Sequence, residues 1–184
     1  MIGKKNIVFG FLYLVLTASL GPYMIVKLFP DVGKAAAVKQ VAVGRLQALQ
    51  QNNFEEELEP LKAGQIARAN TAGILALNKV YNAEQPIDDV KGGPHAHGNL
   101  EALLNIAAGL VLCFIAVATV FKQIISWLFI AGAIFHSGML YLRMFGFEWA
   151  GTLLQIGPFL VLLALLLMGI AALMGFRGEI VKDH

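Results

Sequence analysis

Residues 150–176 read AGTLLQIGPFLVLLALLLMGIAALMGF, 27 positions without one Asp, Glu, Lys or Arg. About 20 apolar residues at about 1.5 Å rise carry a helix across a bilayer core about 30 Å thick, so this stretch is long enough to span a membrane. Working outward, 123–145, 99–121 and 6–29 meet the same requirement, each with a single charged residue. The reading is all-α: an integral membrane four-helix bundle. Composition agrees, with 58% hydrophobic and 14% charged residues against about 45–50% and about 25% in soluble domains.

The first span follows Lys4-Lys5 and contains the small residues Thr17-Ala18-Ser19, features of a cleaved signal peptide. Its apolar run continues to about Phe29, too long for a signal core, so it is expected to stay as a helix. Lys4, Lys5, Lys122, Arg177 and Lys182 fall on one side of a four-span chain, which the positive-inside rule makes cytoplasmic. This gives a first transmembrane helix (1–29), an outer hairpin and loop (30–98), and a three-helix transmembrane region with a short cytoplasmic tail (99–184), in a cell inner membrane.

The outer segment has its own pattern. Asp31 caps a helix running to about residue 50, with Val38, Val41, Ala42, Leu46 and Leu49 on one face. Asn52-Asn53 breaks it, and Glu59-Pro60 reads as the cap and first residue of a second helix through Tyr81. Residues 82–94, with Pro86, Gly92 and Gly93, read as an irregular return loop.

A net charge of +2 excludes a nucleic-acid partner held by charge, and the single Cys113 excludes an intrachain disulfide. No phosphate loop, nucleophile elbow or haem-attachment C-x-x-C-H is present. The polar residues inside the spans are the functional clues, because ionisable groups there are costly and face a cavity or a partner. Counting outward from a turn at Lys122 makes Glu101 and Arg143 level, which predicts an ion pair, and puts Asn105 within one hydrogen bond of His136. Pro158 frees a carbonyl at similar depth, with Gln155 a turn above, so the lining is expected in the outer half and nearly absent from the inner half.

His95-Ala96-His97-Gly98-Asn99 adds two imidazoles to that outer face. Imidazole is the commonest haem and transition-metal side-chain ligand. The same count separates His97 from His136 by roughly 16 Å, which disfavours a haem held between them in one chain and leaves an oligomer interface, with His97 or His95 as ligand. The competing scheme is a copper or zinc site of His97, Glu101 at i+4, and His95. Met139, Met144 and Cys113 would suit copper, although methionines on such helices mostly pack.

From His95 to about Arg177 the chain resembles two groups of small four-helix membrane proteins. Trp127-Leu128-Phe129-Ile130-Ala131-Gly132, Ser137-Gly138-Met139-Leu140-Tyr141-Leu142 and the Gly157-Pro158 helix resemble a widespread bacterial and mitochondrial family of unknown function. His97-Gly98 with Asn105, and Tyr141 in Gly138-Met139-Leu140-Tyr141, resemble the styrene oxide isomerases, trimeric membrane proteins that use b-type haem as a Lewis acid on an epoxide. Ala133 stands where that family has an acidic residue, and the histidine-to-asparagine spacing is about two residues longer. The resemblance implies haem b held by His97, with Tyr141 and Asn105 as catalytic residues; His95 and His136, the other imidazoles expected on that face, are the further cofactor-binding candidates. It also implies a homo-oligomer.

The leading expectation is therefore a haem-b membrane protein acting on a small apolar, epoxide-like molecule or in redox chemistry. The alternatives are a non-catalytic subunit or assembly factor of a larger membrane complex, docked through the outer hairpin, and a copper- or zinc-binding membrane protein.

Overall fold

The computed structural model describes residues 1–57, 59–181 and 183; Lys182, one of the charges used for topology, lies outside them. Among the described residues the structure is all-helical apart from one pair of two-residue strands and an isolated bridge, and the chain divides into two compact units, residues 1–22 with 89–184, and residues 23–88. Three helical stretches, Gly3–Gln51, Thr119–Met144 and Ala150–Gly175, are long and apolar enough to cross a membrane.

The first unit is a helical bundle of α1 (Gly3–Ala18), α5 (Ala96–Leu112), α6 (Thr119–Ala133), α7 (Met139–Met144), α8 (Ala150–Leu153) and α9 (Ile156–Gly175). The buried residues of α1 are Gly3, Asn6, Gly10, Tyr13 and Thr17, followed by Leu20, so the spacing alternates between three and four. That is the spacing of a left-handed helix–helix seam. Its partner face on α5 is Gly98, Glu101, Ala102, Asn105, Gly109 and Leu112. Small residues let the backbones close in: a Cβ on Gly109 would lie 2.6 Å from the Gly3 carbonyl oxygen, and one on Gly10 2.7 Å from that of Ala102. Polar side chains then join the helices, as Asn6 Nδ2 donates to Asn105 Oδ1 and to the Ser126 carbonyl, both at 3.0 Å. Val8, Phe11, Leu12, Val15 and Leu16 of α1 are exposed instead, while Phe9 and Leu14 pack beside Tyr13.

Two expectations are corrected here. The second span was expected over 99–121, but α5 stops at Leu112 and α6 starts at Thr119 rather than 123. The intervening apolar strip leaves the helix through a turn at Cys113-Phe114: Ile115 pairs with Phe176, Ala116 N–H donates to the Gly175 carbonyl, and Arg177 N–H to that of Phe114. Hydropathy cannot separate a helix from an apolar strip whose backbone is satisfied elsewhere. The expected scarcity of polar groups at the Lys122 end is also wrong. Lys122 is 1% exposed, and its Nζ donates to Asp183 Oδ1 at 2.5 Å, while Asp183 Oδ2 accepts from Ile2 N–H at 2.6 Å. Nearby, Lys5 Nζ donates to Gln123 Oε1 at 2.5 Å and lies 4.2 Å from the Trp127 ring.

The second unit contains α3 (Phe29–Gln51), β1 (Glu55–Glu56), β2 (Glu59–Pro60) and α4 (Ala63–Val90). The helices form a hairpin in which Leu46 of α3 packs on Gly73 of α4. Arg45 clasps Glu56 with two hydrogen bonds at 2.9 and 3.0 Å, tying α3 to the turn. The break at Asn52-Asn53 is where the sequence puts it, and Asn53 takes the left-handed conformation (φ 50°) that asparagine tolerates. Glu59-Pro60 does not open the second helix. That pair bonds to β1, and the start moves to Ala63, where Gln65 reaches back to the Lys62 N–H at 2.8 Å. The expected loop over 82–94 is helix as far as Val90, despite Pro86. A proline costs an interior helix one hydrogen bond, and burial of Val80 and Ile87 on either side offsets this. Beyond Val90 the expected loop is a π-turn, Lys91–His95, with Gly93 off the helical conformation.

Candidate functional site

His136 and Ser137 sit in a π-turn, Ile134–Gly138, between α6 and α7. Such single-turn bulges are frequent at functional sites because they redirect side chains within a helix. The turn is seated on Gly157 of α9, where a Cβ would come within 2.6 Å of His136 Cα. Facing it from α5 is Glu101, whose side chain is 6% exposed.

Glu101 has both oxygens engaged. Oε1 accepts from His136 Nδ1 at 2.6 Å; Oε2 accepts the Ser137 N–H at 3.3 Å and the Ser137 hydroxyl. Ser137 Oγ in turn lies 2.8 Å from the hydroxyl of Tyr13 on α1, which also reaches the Ala133 carbonyl at 3.2 Å. On the other side of His136 is His97, with ring centroids 4.6 Å apart and planes 55° apart. His97 is exposed, and His136 is 18% exposed at its side chain. Among the described residues, neither His97 nor His136 Nε2 has a hydrogen-bond partner.

Several expectations change against this geometry. Glu101 pairs with His136, not Arg143, which is exposed on α7 seven residues further on, about 10 Å of helix rise. The counting error comes from the turn, which lies between Leu112 and Thr119 instead of at Lys122. The same error separated His97 from His136, which are adjacent. It also gave Asn105 to His136, whereas Asn105 accepts from Asn6 and donates to the carbonyls of Glu101 (3.0 Å) and Phe129 (3.1 Å). His95 Nδ1 is 3.1 Å from the Thr17 carbonyl, and Thr17 donates to Asn99 at 2.8 Å. Among the described residues no three His, Cys, Asp or Glu side chains form a metal-holding group, so His95, His97 and Glu101 are not assembled as one. Tyr141 packs against Phe145 with ring centroids 5.2 Å apart and planes tilted by 47°, and Gln155 is exposed. Cys113 donates to the Gly109 carbonyl at 3.3 Å, in line with packing.

The sequence reading missed Tyr13, Ser137 and Gly157. Tyr13 had a signal, the three–four spacing of small and polar residues from Gly3 to Thr17. Ser137 and Gly157 act through backbone approach and a π-turn, which have no local signature.

The imidazole separation limits what the pair can hold. With metal–nitrogen bonds of about 2.0–2.1 Å, two rings on one ion have centroids about 4.5 Å apart at a right angle, about 5.2 Å at a tetrahedral angle and about 6.4 Å when opposite each other. The observed 4.6 Å is a direct ring contact that also matches right-angled, neighbouring positions on one ion and falls short of the tetrahedral spacing. A haem does not fit between these two rings, since its axial ligands lie on opposite faces of the iron. His97, being exposed, is the imidazole that would hold a haem from outside the pair. A carboxylate that accepts from Nδ1–H leaves Nε2 as the ring nitrogen available to a ligand, an arrangement common behind metal-bound histidines.

The chain matches no protein-family model, no curated protein and no solved structure. The site is therefore read from its own chemistry.

Proposed function

We propose that the chain is a four-span membrane protein that holds a copper or zinc ion between the imidazoles of His97 and His136. One observation carries the reading: a carboxylate-anchored imidazole with a second imidazole at 4.6 Å. Imidazole nitrogen suits both metals, and two protein ligands leave positions open for a small molecule to meet the ion. Such an ion supplies Lewis acidity to an oxygen-bearing apolar substrate or, for copper, redox chemistry. In this reading α5 crosses the bilayer with the three longer apolar stretches, and residues 30–98 lie outside the inner membrane. The end carrying Lys4, Lys5, Lys122 and Arg177 is cytoplasmic, which puts the metal towards the outer leaflet.

A second reading is supported by the exposure of His97. Here His97 would hold haem b in a homo-oligomer, a trimer as the resemblance to the isomerases implies, with His136 as its neighbouring imidazole. Bound haem would supply a Lewis-acidic or redox-active iron.

Spectra and titrations of the detergent-purified full chain decide. After chelator treatment, one copper or zinc ion per chain is expected, lost in both His97→Ala and His136→Ala. A Soret band that disappears only in His97→Ala would favour haem. Metal and haem contents unaffected by either substitution would overturn both readings and leave a subunit or assembly factor.

A further inference from the structure

We propose that Ser137, backed by Tyr13 of α1, is a positioning residue for the imidazole pair: it fixes the Glu101 carboxylate, and through it the angle at which His136 meets His97. The proposal rests on the metal-centre reading. A carboxylate accepting from one imidazole alone can rotate about its terminal torsions and carry the ring with it. Glu101 cannot, because its second oxygen is held by both the backbone N–H and the hydroxyl of Ser137. The hydroxyl is itself directed. If Ser137 donates its single proton to Glu101, its lone pairs are left to accept, and the Tyr13 hydroxyl stands 2.8 Å away to donate. Tyr13 is 9% exposed and lies in the α1 seam between Gly10 and Thr17, so its position is set by helix packing. The chain Tyr13, Ser137, Glu101, His136 therefore ties the orientation of one ring to the packing of the first helix.

Ser137→Ala separates this role from a structural one. It leaves the Tyr13 hydroxyl with the Ala133 carbonyl at 3.2 Å and leaves Glu101 with His136 Nδ1 and the Ser137 backbone N–H. No buried group loses its last partner, and the fold is expected to persist. The test uses copper(II) ions on the full chain in detergent, with affinity measured by chelator competition and coordination by electron paramagnetic resonance. Removing a group that orients a ligand typically costs roughly 10–100-fold in metal affinity, so a loss of about tenfold or more with an altered, broadened copper spectrum is expected for Ser137→Ala. Ser137→Thr, which keeps the hydroxyl, should restore both readouts, and Tyr13→Phe should give a smaller change of the same kind. Wild-type affinity and spectrum in Ser137→Ala, while His136→Ala loses copper, would overturn the positioning role and leave the metal centre standing. A wild-type chain that binds no copper would overturn both.

Discussion

The bundle buries charge in two places, and it finishes them differently. At one end Lys122 and Asp183 close on each other, and the second carboxylate oxygen takes the Ile2 N–H. At the other, Glu101 is as fully engaged, but the network ends on His136 Nε2 and His97, which have no hydrogen-bond partner among the described residues. Burying an ion pair is costly and by itself weak evidence of stabilisation. A closed pair that joins the N-terminal segment, α6 and the C-terminal segment explains itself as a clasp. A carboxylate–imidazole contact whose hydrogen bonds end on a ring nitrogen with no partner among the described residues leaves that nitrogen to meet a ligand. Leftover bonding capacity, rather than buried charge, separates a site from a clasp.

The largest effect expected from this contrast is on metal. His97→Ala and His136→Ala should each weaken copper or zinc binding by more than the roughly 10–100-fold that loss of an orienting group costs. Lys122→Met should leave it unchanged. Equal losses in all three, measured by chelator competition, would mean that the substitutions act through the fold and that the two ends do not differ in kind.

Gly157→Ala tests how rigidly the open end is built. The added methyl would press on His136, 2.5 Å from its Cβ, with backbone rather than a flexible side-chain tip as the obstacle. Overpacking of this kind typically costs about 1–3 kcal/mol. A lower melting temperature and weaker metal binding are expected together. Gly169→Ala is the control, because nothing lies within 4 Å of its added Cβ. Unchanged metal binding in Gly157→Ala would show that the π-turn can move without consequence for the pair.

The two ends also differ in how readable they were. The apolar stretches at 123–145 and 150–176 are plain in the sequence because their exposed residues are mostly Leu, Ile and Phe. The inner seam is not, because in α1 it consists of Gly3, Asn6, Gly10, Tyr13 and Thr17, residues that a hydropathy scan discounts. Helices meant for lipid invert the soluble pattern: apolar side chains face outward, and small or polar ones pack inward. His97, His136 and Glu101 were legible as residues of interest from their chemical type. Their mutual placement was not, since it depended on where the turn falls, and the apolar strip 113–118 gives no sign that it leaves the helix to bond with residues 175–177.

A smaller effect is expected at the clasp. Lys122→Met removes the ammonium that faces Asp183, and losing a buried partner of this kind costs about 1–3 kcal/mol. Asp183 lies in the segment after α9 and can turn towards water, which limits the loss. The double substitution Lys122→Met with Asp183→Leu should recover most of it, since replacing a whole buried pair by apolar groups is often neutral. A double variant as unstable as the single one would mean that the clasp is a specific requirement of the fold.

The smallest effect is a pH dependence at that same end. Burial pushes the Asp183 carboxyl up, but the hydrogen bonds from Lys122 and the Ile2 N–H, with the charges of Lys122 and the Met1 ammonium, outweigh it and hold the group below its ordinary value of 3.8. A carboxyl with a lower pKa folded than unfolded contributes stability that is fully present above the unfolded value, about 3.9, and is lost as pH falls through the folded one. Wild-type protein should therefore melt higher than Asp183→Asn at neutral pH, by a margin that narrows below about pH 4 as Asp183 takes up its proton. Because Asp183 belongs to the closed end, the metal affinity of the two proteins at neutral pH should be the same. A margin that stayed constant down to about pH 2 would mean that Asp183 contributes through shape and hydrogen bonding, and that the clasp does not depend on its charge.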